Sequence, residues 1–380
     1  MKQTIFYIIS NIGKSLEFEW VADELDQEKY NLTFILLNPG DSTLEQYLLK
    51  KGVPVHRVTY RGKKDIPAAL WKVLLLLKKQ YCSIVHTHLF EASLIGLLAA
   101  RLAGVRCRIF TRHHATMHHE YYPKAVYYDR LINLMATNII AISENVRRVL
   151  IEKEGVPSNK ITLIHHGFRL EEFEQVSLER IIHLKKTYTI SPESTPVVGV
   201  ISRFIHLKGL QYIIPAFEKL LKLYPNAYLV LANARGDYLE SVHKLLEKIP
   251  SANYRLIPFE EDVAALYQLF DVFAHTPINA QCEAFGQTYI EALAAGVPSI
   301  FTLSGVATEF IEHHKNAWVV PFQDAECIYQ SFLHLLAKDE REIQTMTTRG
   351  KYDVQQRFSL QRMIKSLEQL YDSVKPEIIK

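Results

Sequence analysis

The sequence predicts an α/β protein made of two doubly wound, mostly parallel sheets. Short apolar runs alternate with helical patterns from residue 4 to the 320s, which is how βα units read. The chain has 380 residues, enough for two separate cores. Near its middle, residues 191–196 (SPESTP) combine two prolines with small polar residues and read as a linker. The expected division is a first domain at 1–190, a second at 196–357, and a final helix at 358–380.

Composition narrows the class. Hydrophobic residues make up 48% and charged residues 22%, ordinary values for a globular protein. Cys82, Cys107, Cys282 and Cys327 show no C-x-x-C spacing, so neither a disulfide framework nor a zinc knuckle is expected, and a reducing, cytoplasmic setting fits. The apolar run Ile5 to Ile9 is too short for a signal-peptide core, and no stretch approaches the roughly 18–20 apolar residues of a membrane span. The net charge of +3 is uneven: residues 1–190 hold 26 Lys and Arg against 19 Asp and Glu, while the remainder hold 18 against 22. No basic motif with interleaved aromatics is present, so nucleic acid is not an expected partner.

In the first half, TIFYIIS (4–10) reads as a buried strand, followed by a helix from about Leu16 to Glu28 and a second strand at 31–37. Gly13, Lys14 and Ser15 resemble the end of a P-loop, but the Gly that motif requires is replaced by Ile8. Residues 61–80 combine a Leu-rich helix and Trp71 with Arg61, Lys63, Lys64, Lys72, Lys78 and Lys79. This segment reads either as a core helix with solvated ends or as a basic amphipathic surface for an anionic membrane. His86, His88, His113, His114, His118 and His119 invite a metal reading, yet none shows H-E-x-x-H spacing, and no metal is expected. Ser143 is a good N-cap for a helix over 143–153.

In the second half, VVGVISR (197–203) is a buried strand, and Arg203 and Lys208 follow on one loop that can bring both cations to one anion. Residues 283–300 (EAFGQTYIEALAAGVPSI) carry the strongest signal. Glu283, Ala284, Phe285, Gly286 and Gln287 form a turn, a helix follows with Thr288 as its expected cap, and Gly296 and Pro298 stop it. Amides at a helix N-terminus favour phosphate, and Gly286 lets backbone approach a ligand closely. Glu291 can accept two hydrogen bonds from a ribose diol, and Glu283 can hold hydroxyls of a second sugar. Two solvated glutamates beside an ordinary helix are the plainer alternative.

The wording of 283–298, with ISRFIHLKGL (201–210) and VHTHLFEASLIGLLAARLAG (85–104), resembles family 4 retaining glycosyltransferases. The resemblance implies a GT-B fold: two Rossmann-like domains facing across a cleft, with the C-terminal helix crossing back to the first domain. It implies Arg203 and Lys208 on the donor diphosphate, Glu291 on ribose, and Glu283 orienting the transferring sugar. Pro258 and Phe259 would line the nucleobase pocket, and His113, with His114 as the one-residue alternative, would hydrogen-bond the donor sugar. The site thus binds donor through Arg203, Lys208, Pro258, Phe259, Glu283, Ala284, Phe285, Gly286, Gln287 and Glu291, with Glu283, His113, Arg203 and Lys208 as the catalytic set. The implied reaction needs no metal or cofactor: a nucleotide-diphosphate sugar gives its sugar, with retention, to a glycan or lipid-linked acceptor. Bacterial surface polysaccharide or glycolipid synthesis, on the inner face of the cell membrane, is the implied setting. A GT-B phosphorylase or epimerase, or a non-catalytic nucleotide-sugar binding protein, would share much of the same site.

Overall fold

The computed structural model describes residues 2–374. The chain divides into two compact units: residues up to Phe168 together with those from Leu360, and Arg169–Ser359.

The first unit is built on seven strands: β1 (Gln3–Ser10), β2 (Tyr30–Asn38), β3 (Val55–Thr59), β4 (Ile84–His88), β5 (Cys107–Arg112), β6 (Asn138–Ala141) and β7 (Ile161–Leu163). Every pairing is parallel, in the order β3-β2-β1-β4-β5-β6-β7. Helices cover a parallel sheet on both faces, which is why runs such as Ile5 to Ile9 are apolar throughout and buried. The order reverses between β1 and β4, where Ile9 pairs with His88. Such a reversal opens a crevice at the C-terminal strand ends, where α/β folds place their ligands.

The helix Leu360–Ser373 completes this unit. It turns Met363, Ile364, Leu367, Leu370 and Tyr371 inward. The Tyr371 hydroxyl lies 2.5 Å from that of Tyr7 and 2.8 Å from His86 Nδ1, and His86 Nε2 lies 2.7 Å from Thr111 Oγ1. A buried polar chain therefore ties the last helix to β1, β4 and β5. Residues 375–380 of the expected final helix lie outside the described residues.

The second unit repeats the plan with β8 (Val197–Ile201), β9 (Tyr228–Ala232), β10 (Tyr254–Ile257), β11 (Val272–His275), β12 (Ser299–Phe301) and β13 (Trp318–Val319). The order is β10-β9-β8-β11-β12-β13, again all parallel, with its reversal between β8 and β11. Its core gathers Val198, Val200, Ile213, Phe217, Leu229 and Phe332.

The boundary between units differs from the sequence expectation of 190 and 196. Residues 169–190 pack in the second unit: Arg180 Nε donates to Asp262 Oδ2 at 2.7 Å, Arg255 Nε donates to the Tyr188 carbonyl at 2.9 Å, and the Phe173 ring lies 6.2 Å from that of Tyr267. SPESTP is thus a loop inside that unit, held where Thr195 N donates to Asn226 O at 3.0 Å. Polar, Pro-rich composition marks an exposed loop but does not say whether the chain changes unit there. The last helices also part later than expected, with Glu340–Phe358 running through to Ser359 before the final helix starts at Leu360. Among the described residues, no helix is long and apolar enough to cross a membrane.

One buried ionic network fixes the segment after β5. Arg112, fully buried, lies 3.2 Å from Asp129 and 2.6 Å from Glu154, and its Nε donates to the His114 carbonyl at 3.0 Å. His118 Nδ1 lies 2.7 Å from the same Asp129, and Asn133 donates to Glu154 at 2.6 Å. Two buried carboxylates left without their guanidinium are strongly destabilising. Arg112→Ala should lower unfolding free energy by about 3–5 kcal/mol in urea titrations followed by circular dichroism. A loss below about 1 kcal/mol, the range of an exposed pair, would contradict this account of the network.

Candidate active site

The second unit concentrates the expected donor residues at the C-terminal ends of β8 and β11. After β8 the chain passes Arg203, makes one tight turn over His206–Lys208, and enters the helix Leu210–Leu221 through Gly209. Gly209 has φ +76°, and a Cβ there would lie 1.9 Å from the Thr276 carbonyl oxygen. Glycine thus lets this turn press against the segment leaving β11 and brings Lys208 to Glu283.

Lys208 Nζ donates to Glu283 Oε1, and His275 Nε2, at the end of β11, lies 3.2 Å from the same oxygen. Glu283 is buried, which by itself raises a carboxyl pKa; the Lys208 charge and the His275 hydrogen bond overcome that and hold it well below the usual range. Burial holds the His275 pKa down, with Glu283 acting against that effect. The Glu283 amide donates to Ser304 Oγ at 3.1 Å, which fixes the backbone beneath the carboxylate. Arg203 is exposed and forms no ion pair among the described residues.

The helix after Glu283 spans Gln287–Ala294, two residues earlier than a Thr288 cap requires. Gly286 takes the cap position at φ +91°, with no side-chain acceptor, and Thr288 lies inside the first turn with its buried Oγ1 unpartnered among the described residues. The glycine is favoured because this left-handed conformation strains other residues, and a Cβ would meet the Tyr289 ring at 2.5 Å. The Tyr289 amide donates to the Gly286 carbonyl at 3.1 Å, and the Gln287 and Thr288 amides before it are left to water or an anion. Phe285 is buried, with its ring 5.8 Å from Phe358, while Ala284 is half-buried and Gln287 is exposed.

Glu291 accepts from the Tyr267 hydroxyl at 3.0 Å. Loss of hydration pushes its pKa up to about 7, with the tyrosine bond opposing the shift. Pro258 and Phe259 are exposed beyond β10, and the Arg235 guanidinium lies 5.3 Å from the centre of the Phe259 ring. The sequence reading did not assign Arg235 or His275. His275 looks like an ordinary strand terminus until Glu283 folds back onto it.

In the first unit, His113 and His114 part company. His113 Nε2 lies 3.1 Å from His88 Nδ1, and its ring stacks 5.5 Å from that of His166. His114 Nε2 lies 3.3 Å from Asp129 Oδ2 within the Arg112 network. Burial lowers the His113 pKa to about 4. Glu17 Oε1 lies 3.2 Å from His166 Nδ1, and neither residue was singled out for a role from sequence.

Both halves of the chain match known family models. The Glycosyltransferase Family 4 model matches residues 21–172, and the glycosyl transferases group 1 model matches residues 185–351. The capsular polysaccharide biosynthesis glycosyltransferase CapM of Staphylococcus aureus is 27% identical over 357 residues, covering 86% of this chain and 92% of CapM. The UDP-Gal:alpha-D-GlcNAc-diphosphoundecaprenol alpha-1,3-galactosyltransferase of Escherichia coli is 21% identical over 364 residues, 91% of this chain and 90% of that enzyme. Among solved structures, Anabaena HepE in complex with UDP and glucose superposes with a TM-score of 0.84 at 18% identity, covering 98% of this chain and 100% of HepE. Together the two models span most of the sequence, each on one of the two Rossmann-like folds, and the chain belongs to the family 4 glycosyltransferases of GT-B fold.

Proposed function

We propose that this glycosyltransferase moves a sugar, with retained anomeric configuration, from a nucleotide-diphosphate sugar to a hydroxyl of a glycan or lipid-linked acceptor. The observation that carries this reading is the Lys208–Glu283 pair beside the Gly286-capped helix, at the sheet reversal of the second unit. Arg203, Lys208 and the amides after Gly286 bind the diphosphate and stabilise the charge that builds as it leaves. Glu291 accepts the ribose hydroxyls, and Pro258, Phe259 and the adjacent Arg235 meet the base. Glu283, kept ionised by Lys208 and His275, orients the transferring sugar, and His113 is proposed as a further contact to it.

In this mechanism the glycosidic bond to the diphosphate breaks as the acceptor oxygen attacks on the face the leaving group vacates. The acceptor proton passes to a donor phosphate oxygen. No protein nucleophile is invoked, and fixed cations do the work a divalent metal would otherwise do at the diphosphate. The UDP and glucose bound to HepE and the UDP-Gal named for the E. coli relative support a uridine donor, and the GDP-mannose-dependent mannosyltransferase of Mycobacterium tuberculosis supports a guanosine one. CapM and the diphosphoundecaprenol acceptor of the E. coli enzyme favour surface polysaccharide assembly on a lipid carrier.

The helix Ile66–Lys79 supports a peripheral membrane position on the cytoplasmic face. It buries Ala69, Val73 and Leu77, while Trp71 and Leu75 are 61% and 48% exposed among Lys63, Lys64, Lys72, Lys78 and Lys79. The core reading thus describes the buried face, and the exposed basic face is the one a membrane contact would use. Basic residues near an anionic surface contribute about 1 kcal/mol each.

The function is tested by screening UDP-, GDP- and ADP-sugars, without metal, for a rise in melting temperature and slow release of free nucleotide. One donor should respond, and Lys208→Ala and Glu291→Ala should each weaken it by about tenfold or more. Because Glu291 must be ionised to accept two hydroxyls, affinity should fall by up to about tenfold per pH unit below 7. If no nucleotide sugar shifts the wild-type protein, the reading fails. Vesicles containing phosphatidylglycerol should co-sediment the protein, with binding reduced by a Trp71→Ser, Leu75→Ser double variant. Equal recovery with neutral vesicles would remove the membrane assignment.

A further inference from the structure

Beside His113 the first unit holds a small cavity that the transfer chemistry leaves unused. It measures about 20 Å3, and its lining sets Glu17, His86, His88 and His166 among apolar side chains such as Val21 and Ile140. That volume holds one water or one small ion. These residues come from the helix after β1, from β4 and β6, and from the segment after β7, so the sheet itself assembles the cluster.

Three of the neighbouring groups have the spacing of a ligand set. Glu17, His113 and His166 each bring one donor atom, and the three atoms lie within 4.8 Å of one another. Glu17 Oε1 and His166 Nδ1, 3.2 Å apart, are already near the edge length of a tetrahedron with bonds of about 2.0–2.1 Å. The imidazole of His88, 3.1 Å from His113 Nε2, orients the His113 ring as outer partners of metal-bound histidines do. A second observation points into the same space: His88 is 3% exposed, and its Nε2 has no hydrogen-bond partner among the described residues.

Charge separates this cluster from its neighbour. His114, His118 and Asp129 also bring three donor atoms within 4.8 Å of one another. There the Arg112 guanidinium sits 3.2 Å from Asp129, so a cation arriving at that carboxylate would meet a fixed positive charge beside it. Glu17 has no lysine or arginine ion pair among the described residues; its partner is an imidazole. A carboxylate with two imidazoles, one buried unpartnered nitrogen and room for one water is the donor set of an open, three-ligand zinc site.

We propose that Glu17, His113 and His166 bind one divalent transition-metal ion of the zinc class, with water in the cavity beside His88 completing its coordination. The proposal does not rest on the donor reading of the second unit. Such an ion would engage the imidazole of His113, so its binding would compete with any other use of that ring.

The test uses the full chain, freed of any purification tag, stripped with EDTA and desalted. Titration with Co2+ should give the visible absorption of a low-coordinate cobalt site, and Zn2+ calorimetry should give one equivalent per chain. Glu17→Gln and His166→Ala should each weaken Zn2+ by at least about tenfold, while His118→Ala leaves it unchanged. Should His166→Ala not fold, as judged by circular dichroism, Glu17→Gln decides alone. Absence of both signals in the wild type, unchanged affinity in Glu17→Gln, or loss of binding in His118→Ala with retention in Glu17→Gln would each overturn the assignment.

Discussion

The second unit depends on one buried charge cluster. Glu283 is kept ionised inside the protein because Lys208 and His275 converge on the same carboxylate oxygen. A buried ion pair is a costly way to hold a fold together, since hydrophobic groups of the same volume would often do as well. Its placement accounts for its retention. Lys208 is delivered by the turn after β8, His275 is the last residue of β11, and Glu283 returns from the loop beyond, so three segments are locked at the sheet reversal. The close approach at Gly209 and the uncapped helix start at Gly286 are backbone consequences of the same convergence.

The first unit places its polar residues at the equivalent end of its own sheet but organises them differently. Its centre is rich in imidazoles, and it splits into two networks that meet at adjacent residues. His114 joins Arg112, Asp129 and Glu154, an ionic set built around one guanidinium, while His113 joins His88, His166 and Glu17. The first network holds the segment after β5 in place, and the second leaves a small cavity beside the residue that the segment presents. The hydroxyl chain from Tyr371 through His86 to Thr111 adds the last helix to this arrangement.

Much of this was legible in the sequence because it is local. Apolar runs such as VVGVI specify strands, Ser143 does cap its helix, and the family wording from Glu283 to Pro298 marks the segment for which donor contacts are proposed. What was missed depends on distant packing. Residues 169–190 change units because Phe173 and Arg180 find partners around Tyr267 and Asp262, some ninety positions away by the spacing of Phe173 and Tyr267. Thr288 has the chemistry of a cap, but the left-handed backbone at Gly286 starts the helix two residues sooner. His275, Glu17 and His166 acquire meaning only when the sheet brings them to carboxylates and imidazoles from other strands.

The central claim is that Glu283 serves the transferring sugar while Lys208 and the helix amides serve the diphosphate. Calorimetry of wild type and Glu283→Gln, each titrated with the responding nucleotide sugar and with its bare nucleotide diphosphate, tests that division directly. The account predicts that Glu283→Gln removes the extra affinity contributed by the sugar and leaves the bare nucleotide bound at least as well as before. Equal weakening of both ligands would contradict it, because Glu283 would then act only as a support for the phosphate site.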